Sequence, residues 1–398
     1  MKVAIIIERI ETWRGGAETS TMQFAEYLAK DGCHVSILTT SYPPSTSSLS
    51  VVPIAANGMF RALKTRQFIE GASEYVRTHD FDIVHCITPC PAADVYQPRG
   101  GTIPETLERN LAMRSSRIRR GLKRLAQRTS LKYRIMEDLE RQLLQRQPPP
   151  WVIAISHYVE EQLSRHYRFD PSRVRHIFNG VDPDTTPAAD RLADRTKIRR
   201  QYGLAGRDLM LLCVAHNFRL KGVGSLVEAL ARQEADGAAP AGRKQLAVVV
   251  GRDDPAPFVK LADQLGVRER IVFTGPTPRV RAFFHAADLL VHATYYDPCS
   301  RVVLEALASG LPAITTRFNG AAERIEDGRE GYVIDSPEDT AGLADCIGRL
   351  QDDEHRRACA QRAPQAVEGC SMRRHAERVR ELYEEIVRQG EPRRAGYR

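Results

Sequence analysis

Apolar runs typical of buried strands alternate with helical patterns along almost the whole chain, and they form two series. The first series of strands is predicted at residues 2–7, 34–39, 82–87, 151–156 and 174–178. The second series is predicted at residues 209–215, 245–250, 271–274, 289–293, 313–316 and 332–334. Apolar residues at helical spacing lie between the strands, as at residues 16–30. Strands that alternate with helices pair in parallel and are covered on both faces, so we predict two parallel α/β domains in tandem.

The breaks in these series predict how the chain is divided. The turn at residues 179–183 and the stretch up to Asp190 are typical of a linker. We therefore assign residues 1–183 to an N-terminal domain and residues 184–370 to a C-terminal domain. Residues 371–398 contain an amphipathic helix, which we expect to pack back on the N-terminal domain. Ligands of parallel sheets bind beyond the carboxyl ends of the strands, so we expect the site in a cleft between the domains.

Composition argues against several classes of protein. No run of 18 apolar residues is present, so no helix is expected to span a membrane. The apolar run at the N-terminus is too short for a signal peptide. The eight cysteines are scattered, and the close pair Cys86 and Cys90 lacks the second pair of a zinc site. We therefore expect a cytoplasmic protein with free thiols and no metal site.

Positive charge is concentrated in one stretch of the chain. The net charge is +8, and residues 114–134 contain nine basic residues and no acidic one. Ile118, Leu122 and Leu125 recur there at helical spacing, which predicts an amphipathic basic helix. One interpretation is a solvated helix face, and the other is a patch for anionic lipid head groups or a phosphorylated acceptor. Nucleic acid is not expected, because the aromatic residues of a single-strand binder do not accompany the charge.

Two acidic residues mark the second half of the chain. Asp297 precedes a helical pattern, and Glu305 lies eight positions later, inside it. The backbone N–H groups at the helix start, at Ser300, Arg301 and Val302, should attract phosphate, because the first amides of a helix lack partners. The two carboxylates can accept hydrogen bonds from hydroxyls on either side of that phosphate, which predicts a nucleotide-sugar ligand. Paired carboxylates also serve sugar hydrolysis, but a site shared with cations suits a diphosphate better.

Cations and glycines follow the first strand of each predicted domain. Lys221, with Arg219 two residues before it, comes after the strand at 209–215, where a cation can neutralise the charge of a leaving group. Gly15 and Gly16 follow the first strand and permit a close approach to the backbone. Neither the dinucleotide-binding fingerprint nor the Gly-Lys-Ser/Thr phosphate loop follows a strand. Their absence from the sequence argues against a dehydrogenase or an NTPase.

These motifs together resemble those of the retaining GT-B glycosyltransferases of family 4, over nearly the whole chain. The resemblance is carried by Gly15-Gly16-Ala17-Glu18, Ala154-Ile155-Ser156, Asn179-Gly180-Val181-Asp182, Lys221-Gly222, Val272-Phe273-Thr274-Gly275 and the block from Asp297 to Pro312. Within the family, the chain is most similar to the enzymes that add glucose to the lipopolysaccharide core, through Asp94-Val95-Tyr96 and Phe218 with Lys221-Gly222-Val223. The resemblance implies two facing Rossmann-like domains, with the donor mainly on the second and the acceptor on the first. It also implies a C-terminal helix that crosses back to the first domain.

The resemblance further implies roles for single residues. Lys221 would contact the donor phosphates, and Glu305 would hold the ribose hydroxyls. Asp297 would bind the transferred sugar at a position where the family has glutamate. The family places an arginine directly before the lysine, a position that is Leu220 here, so Arg219 is the candidate for that contact. The expected substrate-binding residues are Gly15, Gly16, Arg219, Thr277, Ser300, Arg301 and Val302, with Thr277 beside the nucleobase.

The reaction implied by the resemblance retains the anomeric configuration and needs no metal or other cofactor. The expected donor is UDP-glucose, and the expected acceptor is a cell-envelope glycan or glycolipid. The enzyme would be cytoplasmic, with possible peripheral contact on the inner membrane face through residues 114–134. Two alternatives stay open at this point: a GT-B nucleotide-sugar epimerase or phosphorylase, and a non-catalytic nucleotide-sugar binding module.

Overall fold

A computed structural model describes residues 1–11, 16–41, 49–58, 60–114, 116–238 and 242–390. The chain is divided into two compact units. The first consists of Met1–Gly180 together with the chain from Cys370 onward, and the second is Val181–Gly369. Each unit has its own parallel sheet and its own cluster of buried apolar side chains. The prediction of two parallel α/β domains is therefore confirmed.

The first unit is built on a seven-stranded sheet. Its strands are β1 (Lys2–Ile6), β2 (His34–Thr39), β3 (Ser50–Pro53), β4 (Ile83–Cys86), β5 (Val95–Tyr96), β6 (Trp151–Ala154) and β7 (Val174–His176). They lie in the order β3-β2-β1-β4-β5-β6-β7, and all neighbouring pairs are parallel. Strands such as β4 and β6 are buried along their whole length. Burial on both faces explains why they are continuous apolar runs rather than alternating ones.

In the described part of the first unit, six α-helices precede the boundary between the units. They are α1 (Gly16–Lys30), α2 (Arg61–Thr78), α3 (Ile103–Ala112), α4 (Arg117–Thr129), α5 (Leu131–Gln145) and α6 (His157–Tyr167). The predicted amphipathic basic helix is present as α4. The basic stretch 114–134 is nevertheless not one helix, because the backbone of Ser130 is extended, with φ −71° and ψ 110°. The chain therefore turns between α4 and α5.

The second unit is built on a six-stranded sheet. Its strands are β8 (Leu209–Val214), β9 (Gln245–Val250), β10 (Ile271–Gly275), β11 (Leu289–His292), β12 (Ala313–Thr316) and β13 (Gly331–Ile334). They lie in the order β10-β9-β8-β11-β12-β13. The chain order therefore reverses between the neighbours β8 and β11. In doubly wound sheets of this kind, ligands bind beyond the carboxyl ends of the strands at such a reversal.

Seven α-helices lie in the part of the second unit that the structure describes. They are α7 (Ala188–Gln201), α8 (Val223–Ala235), α9 (Ala256–Gln264), α10 (Val280–Ala286), α11 (Arg301–Ala308), α12 (Thr340–Arg349) and α13 (Asp353–Ala366).

The predicted linker up to Asp190 is too long, because α7 already begins at Ala188. Arg195 and Arg199 of α7 donate to the carboxylate of Asp288, at 2.7 and 2.8 Å, and to carbonyls at the end of α10. Hydrogen bonds and ion pairs, rather than an apolar stripe, attach α7 to the rest of the unit. Its apolar residues therefore show only a weak helical period in the sequence.

The last helix, α14 (Met372–Gln389), belongs to the first unit. Its apolar face, with Met372, Val379 and Tyr383, joins the same buried cluster as Phe24 and Leu28 of α1. These buried apolar residues recur at helical spacing, as the sequence analysis predicted for an amphipathic helix. Among the residues that the structure describes, no helix is long and apolar enough to cross a membrane.

Candidate functional site

Two predicted residues from distant parts of the sequence meet at the strand-order reversal of the second unit. Lys221 lies in the loop after β8, and Asp297 lies in the loop after β11. Lys221 Nζ donates a hydrogen bond of 2.5 Å to Asp297 Oδ2, across 76 positions of the sequence. The two side chains are only 18% and 16% exposed. This geometry places a paired cation and carboxylate at the edge of the sheet where a ligand is expected.

Asp297 is held in its ionised form. Burial raises the pKa of its carboxyl, but Lys221 and His292 outweigh that effect, and the net pKa lies well below the usual 3.8. His292 ends β11, and its Nε2 is 3.8 Å from Asp297 Oδ2. Burial lowers the pKa of His292, so the imidazole is neutral at neutral pH. Asp297 therefore carries its negative charge beside the Lys221 side chain at neutral pH.

A neighbouring turn fixes the backbone around Asp297. The N–H of Asp297 donates to Phe318 O at 2.9 Å, and Gly320 N–H donates to Asp297 O at 3.0 Å. Between these two contacts, the buried side chain of Asn319 accepts a hydrogen bond of 3.0 Å from the backbone N–H of Ser300. The loop that carries Asp297 and the start of α11 are thus attached to one turn.

The contact with Asn319 changes the predicted role of Ser300. We expected the Ser300 amide to be open to a phosphate, but it already has an acceptor inside the protein. The hydroxyl of Ser300 lies 3.3 Å from His292 Nε2. Arg301 and Val302 are the first two residues of α11, where the helix itself supplies no carbonyl one turn earlier. Their amides remain the predicted phosphate contacts at this helix start.

Glu305 forms a second cation–carboxylate pair at the same edge of the sheet. It lies one turn after Arg301 on α11, and Arg301 Nη2 donates to Glu305 Oε1 at 3.1 Å. The side chains of Arg301 and Glu305 are 13% and 31% exposed. Burial raises the pKa of Glu305 above its usual 4.5, and the nearby Arg301 offsets only part of that rise.

A glycine allows the loops after β8 and β11 to approach each other. Gly222 has φ +73°, and a Cβ at this position would lie 1.9 Å from Ala293 O, which is too close for any side chain. The backbone contact that follows, from Tyr295 N–H to Leu220 O at 2.8 Å, joins the two loops. The Lys221-Gly222 pair therefore combines a cation with the close approach that brings it to Asp297.

The structure describes three of the remaining predicted residues, and the fourth lies outside the described residues. Arg219 is in the same loop as Lys221 and is exposed. Thr277 follows the outer strand β10, and its Oγ1 accepts from Arg279 N–H at 3.1 Å. Gly16 is the exposed first residue of α1 in the first unit. Gly15 lies outside the described residues.

Sequence reasoning missed His292 and Asn319. His292 is the last residue of a strand whose carboxyl end faces the site, a position that could have marked it. Asn319 belongs to an Asn-Gly pair after β12, a combination typical of turns, and asparagine often accepts hydrogen bonds from nearby amides. Neither signal names the partner that each side chain contacts.

Comparison with known proteins identifies the family. The family description "Glycosyltransferase Family 4" matches residues 14–185, and "Glycosyl transferases group 1" matches residues 194–366. The chain belongs to the family 4 glycosyltransferases. It is similar to the lipopolysaccharide glucosyltransferase WaaG of Escherichia coli strain K12, with 27% identity over 326 residues, which are 81% of this chain and 82% of that protein.

Two further similarities agree with this family. A D-inositol 3-phosphate glycosyltransferase of Corynebacterium jeikeium strain K411 is 31% identical over 237 residues, which are 57% of this chain and 55% of that protein. The crystal structure of WaaG, a glycosyltransferase involved in lipopolysaccharide biosynthesis, superposes with a TM-score of 0.79 and 25% identity, covering 96% of this chain and 99% of that one. The predictions of a glycosyltransferase and of the GT-B fold class are confirmed. These relatives give no support to the epimerase, phosphorylase or binding-module alternatives.

Proposed function

We propose that this family 4 glycosyltransferase moves a hexose with retention of configuration, and that it transfers glucose from UDP-glucose to a cell-envelope glycan or glycolipid. The observation that carries the proposal is the placement of two cation–carboxylate pairs after the strands at the order reversal: Lys221–Asp297 in the loops after β8 and β11, and Arg301–Glu305 on the following helix α11. The choice of glucose and of an envelope acceptor is supported by the similarity to WaaG, a lipopolysaccharide glucosyltransferase.

The charges of the site suit a bound sugar diphosphate. Lysine has three N–H donors, so Lys221 can keep Asp297 and also donate to a phosphate oxygen. The amides at the start of α11 and the helix dipole add positive potential at the same place. This potential stabilises the charge that develops on the diphosphate as the glycosidic bond breaks.

The two carboxylates bind hydroxyls on either side of the diphosphate. Asp297 stays ionised, so it can accept hydrogen bonds from the transferred hexose, and Glu305 can accept them from the ribose. The leaving diphosphate takes the proton of the acceptor hydroxyl on the same face of the sugar, which retains the anomeric configuration. In this proposal, the protein supplies alignment and electrostatic stabilisation without a metal.

Nucleotide-sugar binding followed by transfer tests this proposal. A thermal-shift screen should show the largest rise in melting temperature with UDP-glucose, because a ligand that binds only the folded form stabilises it. Transfer to a panel of envelope glycolipids should release UDP, and NMR of the product should show the donor's α configuration. A β-linked product would overturn retention, and stabilisation by another nucleotide-sugar alone would overturn the choice of donor. Absence of any nucleotide binding would overturn the whole proposal.

We further propose that α4 attaches the enzyme peripherally to the inner face of an anionic membrane. Ile118, Leu122 and Leu125 form an apolar stripe on α4 and are 76%, 64% and 61% exposed. On the opposite side of the helix, the buried side chain of Gln127 donates to Leu107 O at 3.2 Å. A helix that turns its polar glutamine to the protein and its apolar stripe outward is not a simple solvated face.

Basic residues flank this stripe, which is the arrangement of helices that lie in a membrane interface. A phosphorylated acceptor would need the basic residues but not the exposed isoleucine and leucines. The stripe therefore favours a lipid surface, and the proposed location in the cytoplasm on the membrane face depends on it.

A further inference from the structure

The ion pair between Arg301 and Glu305 is not explained by the stability of its helix. Arg301 is the first residue of α11, where a cation is disfavoured by the positive end of the helix dipole. The order of the pair, with the cation four residues before the carboxylate, is also the less favourable one on a helix. The first turn of α11 contains no acidic residue that would compensate.

A second pair on α14 shows what the same arrangement looks like on the surface. Arg373 and Glu377 have the same order, the same spacing and the same 3.1 Å contact, but their side chains are 71% and 42% exposed. Arg301 is only 13% exposed, so its charge is largely removed from water. A buried ion pair gains little stability because desolvation opposes the attraction between its charges. The burial of Arg301 beside the proposed donor site calls for another reason.

We propose that Arg301 is a positioning residue for the donor, which holds the Glu305 carboxylate in the orientation that receives the ribose hydroxyls. This inference rests on the proposed function. An ionised carboxylate offers about four acceptor positions, so the contact of Arg301 with Oε1 leaves acceptor capacity for a ribose. The cation also opposes the rise in pKa that burial causes, and so favours the ionised form of Glu305. A charged acceptor binds hydroxyls more strongly than a protonated one.

The inference predicts a loss of discrimination at the ribose. Calorimetry would compare UDP with 2′-deoxy-UDP for the wild type, Arg301→Ala, Arg301→Lys and Glu305→Ala. The wild type should prefer UDP by about tenfold, the value of a hydrogen bond to a charged group. Arg301→Ala should lower UDP affinity roughly tenfold and leave 2′-deoxy-UDP affinity within about twofold. Arg301→Lys should restore part of the preference, because it keeps the charge without the planar fork.

A double variant and a matched control complete the test. Arg301→Ala combined with Glu305→Ala should lose no more UDP affinity than Glu305→Ala alone, because both changes remove one contact. Arg373→Ala removes a pair of the same spacing and length and should leave the preference unchanged.

Three results would count against the inference, and they are distinguishable. Equal loss of affinity for both nucleotides in Arg301→Ala would assign Arg301 to the phosphates and overturn it. A wild-type preference in both Arg301→Ala and Arg301→Lys would overturn it as well. A wild-type protein that binds neither nucleotide would overturn the proposed function, and this inference with it.

Discussion

The two cationic regions of the molecule use their charge differently. In the second unit, Lys221 and Arg301 are each paired with a carboxylate, and both are largely buried. In the first unit, residues 114–134 contain nine basic residues without an acidic one, and the apolar stripe of α4 is exposed.

The difference teaches what each region can recognise. Charges fixed at 2.5 and 3.1 Å from their partners define directions and distances, which suits a small ligand with a fixed geometry. An excess of exposed charge attracts any anionic surface and is weakened by salt, because exposed charges are screened beyond roughly 10 Å at 0.1 M salt. The following variants test this contrast.

The largest effect on activity is expected from Lys221→Ala, in the region of the second unit where each cation is paired with a carboxylate. The variant should lower kcat/KM by about 10³-fold, since loss of one electrostatic donor costs roughly 3–4 kcal/mol of barrier. Steady-state kinetics would measure the loss, and Lys260→Ala on α9, an exposed lysine of the same unit, is the matched control. Activity above a tenth of wild type would contradict the role of Lys221.

The same variant has a consequence for stability as a function of pH. The pKa of Asp297 is lower in the folded protein than its usual value, so the group contributes stability above about pH 4 that is lost as pH falls through the folded pKa. Removal of Lys221 raises that pKa and reduces the contribution. Chemical unfolding at several pH values should show a smaller gain in stability between pH 3 and pH 6 for the variant.

Charge removal on α4 should have the next largest effect, and it should be confined to membranes. The double change of Arg124 and Arg128 to glutamine should weaken binding to phosphatidylserine-containing vesicles about 30-fold, at roughly 1 kcal/mol for each charge. Co-sedimentation at low and high salt would measure it.

Removal of two exposed arginines elsewhere in the first unit, at Arg66 and Arg373, is the control for net charge. Binding that does not depend on anionic lipid, or that weakens equally in the control, would contradict attachment through α4.

Substitutions of Asn319 test whether the turn that holds Ser300 near Asp297 contributes to stability and to UDP binding. Asn319→Ala removes the acceptor for the amides of Ser300 and Ala321, both at 3.0 Å, which should cost about 1–3 kcal/mol of unfolding free energy. Asn319→Asp keeps an acceptor for both amides but adds a negative charge, so it should retain more stability and bind UDP more weakly. Denaturant unfolding and calorimetry would separate the two effects. Unchanged UDP affinity in Asn319→Asp would contradict a phosphate site beside Asn319.

The smallest effect is expected from Glu305→Gln. The variant should raise the free energy of unfolding but lower the affinity for UDP. Because the pKa of Glu305 is raised in the folded protein, its ionisation costs stability as pH rises above about 4. The neutral variant should therefore be more stable at pH 7, by less than about 1 kcal/mol because Glu305 is partly solvated. The gain should vanish near pH 4, while UDP affinity falls at neutral pH. Lower stability at pH 7 would contradict the cost assigned to this carboxylate.

Local pattern was sufficient to predict most of the elements that build each sheet. The predicted bounds of α1, β2 and β12 coincide with the structure, because α1 buries residues at helical spacing and most residues of the two strands are buried. The short strands β3 and β5 were not predicted, because β3 has no buried residue and β5 has only two residues. Helix α7 was also not predicted, because polar contacts rather than an apolar stripe attach it to the unit.

The sequence by itself determined the alternation of elements, the amphipathic character of α4 and α14, and the residue types offered to a ligand. Only the tertiary structure decided that Lys221 meets Asp297, that Asn319 takes the amide of Ser300, and that the apolar stripe of α4 faces outward. The physical reason is that periodicity reports whether a segment has a buried side, which is a local property. Which buried groups become partners depends on the order of the strands, and that order follows from packing across the whole sheet.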